Sequence, residues 1–169
     1  MNINGYSIKA VNSLEGRNGV GFSANLYYKN KQIGSITDTA DGSGEIGVYM
    51  NSVTNHEIHD QIVDSDFAER LFYLHCDEKS FKNMVKKGHG EALISVTMSE
   101  PTKDWQISLE YHSQNKLIQE DDFREWYNKN GKGGVIEKVE IYTRLDDFNI
   151  QEPKQAQDLS SQDDEMKMG

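Results

Sequence analysis

Between Val20 and Met50 the chain alternates so strictly that few folds can accept it. Val20, Phe22, Ala24, Leu26 and Tyr28 fall on one face of an extended segment, and Gly21, Ser23, Asn25 and Tyr27 on the other. One side is therefore built to be buried. Lys29-Asn30-Lys31 turns the chain, Gln32 to Thr37 returns as a partner carrying Ile33, and after the loop from Asp38 to Gly44 a third run places Ile46, Val48 and Met50 on one face. The pattern predicts an antiparallel meander whose apolar side must be covered by later elements.

The chain has 169 residues, enough for one domain with a real core and too few for two. Only 36% of the residues are hydrophobic and 27% are charged, a balance that permits a folded domain if the polar excess sits in loops and a tail. Acidity accumulates along the chain: the first fifty residues balance four basic against four acidic, whereas residues 144–169 carry three against seven. The net charge of −10 repels nucleic-acid phosphate, and no cluster of Lys and Arg with interleaved aromatics offsets it locally. Direct DNA or RNA binding is disfavoured, and encounter with a basic protein surface is favoured. A single cysteine, Cys76, has no partner for an intramolecular disulfide, which points to a reducing compartment. With no signal-peptide pattern in Met1 to Tyr6 and no apolar run of membrane length, the expected location is the cytoplasm, with no membrane partner.

Tyr6, Ile8 and Ala10 alternate ahead of a loop from Asn12 to Gly19, predicting a first strand joined to the central one by a hairpin. Thr54 with Glu57 fits a capping box and predicts a helix start. Ile58, Ile62, Phe67, Leu71 and Leu74 then recur at helical spacing, as one long helix or two short ones broken near Asp64-Ser65-Asp66. Asp77 or Ser80 can cap a further short helix carrying Phe81, Met84 and Val85, ended by Gly88-His89-Gly90. Leu93 to Met98 and Trp105 to Tyr111 read as strands, the second of them as cover for the meander's inward face. Glu120 to Asn128 reads as a helix with acids at its start and Phe123, Trp126 and Tyr127 on its apolar face. Val135 to Thr143 is a last strand in which Glu137 interrupts the apolar face.

The expected fold class is α+β: an antiparallel β-meander at the N-terminus, amphipathic helices packed on a mostly antiparallel sheet, and a disordered acidic C-terminal tail. A single domain is expected over residues 1–147, with the tail over residues 148–169.

Catalytic patterns are poor. His56, His59, His75 and Cys76 lie near one helical segment, but no CxxC or HExxH accompanies them, and no GxSxG elbow is present for a hydrolase. Asp41-Gly42-Ser43-Gly44-Glu45 resembles half of a calcium loop without its remaining ligands, and Gly131 to Gly134 lacks the spacing of a phosphate loop. No catalytic residue, metal site or cofactor is assigned. Acidic patterning remains. Glu57, Asp60 and Asp64 stand at i, i+3 and i+7, and Glu120, Asp121, Asp122 and Glu125 crowd another helix beside Trp126. Such carboxylate rows imitate phosphate spacing and match a basic groove.

The N-terminal module, from Tyr6 through GVGFSANLYYKNKQIGSI to the DGSGE loop and IGVYM, resembles small proteins carried by phages and mobile elements of low-GC Gram-positive bacteria, some anti-CRISPR proteins among them. The resemblance covers about the first 50 residues. It implies stoichiometric binding to a Cas effector rather than catalysis. The expected function is a non-enzymatic inhibitor of a bacterial defence nuclease such as Cas9, docking acidic surfaces on a basic face of a nucleic-acid-processing protein. A small metal-dependent or Cys/His hydrolase, and a phage regulatory or structural protein without a nuclease target, are the alternatives.

Overall fold

The computed structural model describes residues 1–17, 19–51, 59, 62–100, 103–131 and 133–152. Its first half is a six-stranded sheet built from β1 (Asn2–Ile3), β2 (Tyr6–Gly16), β3 (Gly19–Tyr28), β4 (Lys31–Asp38), β5 (Gly47–Met50) and, from the far end of the chain, β9 (Asn149–Ile150). The spatial order is β5-β4-β3-β2-β1-β9, antiparallel throughout except where β9 joins β1 in parallel. The meander is therefore present, and the α+β class holds. Phe22, Ala24 and Leu26 face inward as the alternation requires, with Tyr6, Ile8, Ile33 and Ile36 beside them in one core. Val20 departs from the expectation and is 72% exposed. It pairs with Glu15 near the tip of the β2–β3 hairpin, next to the Gly16–Gly19 pair that closes it. The alternation continues there beyond the part of the sheet that is covered.

The long element that covers this sheet is α1 (Ser65–Lys87). The expected break near Asp64-Ser65-Asp66 is instead its beginning: the Asp64 carboxylate accepts the backbone N–H of Phe67 at 2.8 Å. Gly88, at φ 67°, closes the other end in a left-handed conformation, with Lys86 and Lys87 in the last turn where the helix dipole favours cations. Neither Asp77 nor Ser80 caps anything, because the helix runs unbroken through both. Phe67, Leu71, Leu74, Asp77, Phe81 and Met84 form its buried stripe, recurring at three and four residues. The capping box at Thr54 and Glu57 lies outside the described residues.

A second, separate sheet of three strands follows, in the order β7-β6-β8, from β6 (Ala92–Glu100), β7 (Lys103–Ser113) and β8 (Val135–Tyr142). The strand from Trp105 to Tyr111 therefore does not cover the meander. It pairs with its hairpin neighbour β6, because a short antiparallel connection closes more readily than a long-range packing contact. Successive residues of β6 serve opposite sides: Leu93 joins the core around α1, while Ile94, Val96 and Met98 join a second core with Phe123 and Tyr127 of α2 (Glu120–Asn130). The Glu137 anomaly is resolved by a bulge. Thr97 pairs with Lys138 and Met98 with Ile136, so Glu137 is the extra residue and the apolar alternation resumes around it.

The expected end of the domain at residue 147 is too early. Phe148 is fully buried, stacks on Tyr142 at 4.2 Å and meets Phe81 at 5.6 Å. Asn149 and Ile150 then extend the first sheet, and the Glu152 N–H donates to Asn4 Oδ1 at 2.9 Å. The fold thus includes at least residue 152, since an aromatic ring and a pairing strand immediately follow the expected boundary. The remainder of the expected tail, residues 153–169, lies outside the described residues.

Candidate partner-binding face

α2 begins with Glu120, Asp121 and Asp122, acids that interact favourably with the unpaired N–H groups of a first helical turn. Phe123 and Tyr127 point into the second core, and the Tyr127 hydroxyl donates to the carbonyl of Gly133 at 2.9 Å. The helix is anchored toward β8, where Arg124 Nη1 also donates to the Ile136 carbonyl at 3.1 Å. That offset leaves the β7 side of the same sheet face incompletely covered. Ile107 is exposed, and Leu109 and Tyr111 are only half-buried.

Trp126 borders this opening. Its indole is 47% exposed, stands edge-on to Tyr111 at 5.8 Å and tilts against Phe123 at 5.7 Å. Asp121, Asp122 and Glu125 of the same helix are exposed, with Asp122 one turn before Trp126. Two of the four acids on the helix have cations of their own: Glu120 bridges Arg124 at 2.8 Å, and Glu125 bridges Lys129. Both are exposed i, i+4 pairs, contributing a few tenths of a kcal/mol each. Among the described residues, the carboxylates of this helix without such a bridge are Asp121 and Asp122. A half-exposed indole on a helix with two unbridged carboxylates results, rather than a long row of phosphate-like charges.

The first acidic row fares differently. Glu57 and Asp60 lie outside the described residues. Asp64 is described, but its carboxylate is occupied as the N-cap of α1. It also belongs to the other half of the fold, since α1 packs on the Leu93 side of β6 and α2 on the Ile94 side. The structure thus brings Glu120, Asp121, Asp122, Glu125 and Trp126 onto one helix and keeps Asp64 apart from them.

The histidine and cysteine set does not converge either. His56 lies outside the described residues, and His59 is buried with its Nδ1 2.8 Å from the Tyr6 hydroxyl. Burial pushes the Cys76 thiol above its ordinary range, with Asp77 adding to the effect, which favours the neutral thiol over the thiolate nucleophile. Among the described residues no three of His, Cys, Asp and Glu are placed to hold a metal ion. The loop from Asp41 is a series of local turns, with the Ser43 N–H donating to Asp41 Oδ1 at 2.9 Å and the Glu45 N–H to Ser43 Oγ at 3.2 Å.

The chemically distinctive group that sequence reasoning missed is Asp77. It occupies a core position of the α1 stripe and is only 9% exposed. Ser95 faces it from β6 and hydrogen-bonds its side chain, and Ser95 is directly opposite Glu110 on β7 and Glu140 on β8. Burial is the main cause that raises its pKa to about 6, and the Glu110 and Glu140 carboxylates add to the rise, against the lowering effects of Ser95 and Lys138. Glu110 accepts from the Ser80 hydroxyl at 2.9 Å, and Glu140 bridges Lys138 at 2.9 Å. Burial likewise pushes the Tyr142 phenol upward, so it stays a neutral hydrogen-bonding group beside these acids. A buried carboxyl that keeps its proton up to about pH 6 is thereby held between α1 and the second sheet. The signal for it was an acid in an otherwise apolar helical stripe.

No family model, curated protein or solved structure matches the chain. Among the described residues no helix is long and apolar enough to cross a membrane.

Proposed function

We propose that the chain is a non-enzymatic protein-binding inhibitor that docks on a basic surface of a nucleic-acid-processing enzyme of bacterial defence, such as Cas9. The observation that carries the reading is Trp126, a half-exposed indole against Tyr111 and Phe123 on the helix that opens with Asp121 and Asp122. A large rigid aromatic costs little conformational entropy to immobilise further, and such residues dominate binding energy where a partner closes around them. The neighbouring carboxylates steer encounter with a basic surface and set its orientation more than they add affinity. The partly exposed strip of Ile107, Leu109 and Tyr111 extends the apolar centre along β7, which has no neighbour on its outer side among the described residues.

The test is binding of the full chain to purified, guide-loaded Cas9 across a salt series. Binding at low salt that weakens as salt rises, and that falls by at least about tenfold in Trp126→Ala, is the expected result. Equal affinity of Trp126→Ala and the parent removes the anchor from the argument. Absence of binding at low salt to Cas9 and to other defence nucleases overturns the function.

A further inference from the structure

A groove of about 610 Å³ lies on the opposite half of the fold from Trp126, and its charge runs against that of the chain as a whole. Its walls are the short β1, the edge of β2 from Ser7 to Ala10, the Lys29-Asn30 turn, and the side of α1 that carries His75, Glu78 and Lys82. Lys9, Lys29 and Lys82 line it, in a protein of net charge −10. Its single acidic lining residue, Glu78, is already engaged, accepting from the Met1 amine at 2.9 Å and bridging Lys82 at 3.1 Å. Lys9 and Lys29 sit over the rings of Tyr27 and Tyr28, at 4.6 and 5.2 Å, and among the described residues neither meets a carboxylate. Aromatic faces hold these two ammonium groups without neutralising them.

The backbone of the groove is shaped rather than merely open. β1 pairs with β2 only at Ile3 and Tyr6, so β2 beyond Tyr6 has no neighbour on that side among the described residues. An extended peptide does not fit there as a further strand, because Ala10 takes a left-handed φ of 54° and a bulge between Lys9 and Asn12 breaks the ladder. The side chains of Asn2, Asn30 and Asn149 and the Ser7 hydroxyl add uncharged donors to the lining. The volume falls within the range of small-molecule sites, roughly 300–1,000 Å³.

We propose that this groove binds a small polyanion, a molecule of metabolite size carrying two or more phosphate or carboxylate groups, with Lys9 and Lys29 as its charge partners and His75 on the wall formed by α1. His75 supplies a reporter. Burial lowers its pKa, Glu78 opposes that, and Lys79, the Met1 amine and Lys82 lower it further, so an anion seated in the groove raises it.

The experiment is a titration of the full chain, followed by amide and histidine-ring NMR, with inorganic pyrophosphate in one series and citrate in another. Saturable shifts at Ser7 to Ala10 and Lys29-Asn30, with an upward shift of the His75 pKa, are expected. In Lys9→Gln/Lys29→Gln, checked by circular dichroism for an intact fold, binding weakens at least about tenfold, while Lys116→Gln in a remote loop leaves it unchanged. Saturation by pyrophosphate alone assigns phosphate groups, by citrate alone carboxylates, and by both a site selective only for charge. Shifts that do not saturate by about 10 mM with either probe, or that survive the double substitution, overturn the proposal.

Discussion

Replacing Asp77 by Asn tests whether the contact between α1 and the second sheet is held by a proton. In the unfolded chain this carboxyl ionises near 3.8, and in the fold near 6. The fold therefore favours the protonated form, and the sign follows: stability is highest while Asp77 is protonated in both states, falls as pH rises from about 4 to about 6, and is flat above that. At about 1.4 kcal/mol per unit, a rise from 3.8 to about 6 amounts to roughly 2 to 3 kcal/mol lost at neutral pH. Asparagine keeps the shape and a donor for the surrounding acids but cannot ionise. Asp77→Asn is expected to match the parent near pH 4 and to exceed it by roughly 2 kcal/mol at pH 7.5, read from urea unfolding curves at a series of pH values. A difference that does not change with pH refutes the reasoning. So does a variant less stable than the parent at pH 7.5, which would mean that Ser95 and Lys138 hold the carboxylate more strongly than burial and the facing Glu110 and Glu140 penalise it.

Asp64→Ala removes the N-cap of α1 and should cost about 1 kcal/mol in denaturant unfolding, without altering affinity for a target docked at Trp126. Phe148→Ala, at a fully buried ring stacked on Tyr142, should cost about 3 to 5 kcal/mol, whereas truncation after residue 147 would be harmless if the fold ended there. Gly34→Ala places a methyl group 2.2 Å from the Tyr49 carbonyl oxygen between β4 and β5, and a loss of more than about 2 kcal/mol is expected in the same assay. Trp126→Gln, at a half-exposed site, should change stability by less than about 1 kcal/mol and still weaken binding to the proposed target at least about tenfold.

The meander was legible because its information is local: each inward residue of β3 announces its face by the two on either side of it. Val20 shows where that reading ends, since alternation specifies a face but not how far along the strand the cover reaches. The strands Asn2–Ile3 and Asn149–Ile150 were illegible for another reason. Two residues carry no period, and their pairing joins opposite ends of the chain. The division into two sheets was hidden similarly, because β6, β7 and β8 have the same alternation whichever sheet they join. Asp77 was misread by treating an acid as punctuation. Helix-stop logic assigns a mid-chain Asp to a cap, but Leu74, Asp77 and Phe81 continue the spacing of Phe67 and Leu71 without a break. Asp64 was the reverse case, a cap read as one member of a charged row.

The same distinction bears on what the acids of α2 mean. Glu120, Asp121 and Asp122 occupy a first helical turn, where negative charge stabilises the helix whether or not a partner exists, and Glu120 and Glu125 are matched by Arg124 and Lys129 one turn on. Their number alone thus argues little for binding. For Trp126 the question is burial rather than charge. Phe123 and Tyr127 bury their rings in one core with Ile94, Val96 and Met98, whereas Trp126, in contact with Tyr111 and Phe123, leaves nearly half of its surface in water and forgoes that part of the burial that would stabilise it. Its neighbour Tyr111 keeps it upright over a strip of β7 that α2, drawn toward β8 by Arg124 and Tyr127, leaves uncovered. The geometry that withholds cover from β7 also fixes the aromatic that the proposed partner would enclose, so the proposal rests on the position of the helix more than on its charge.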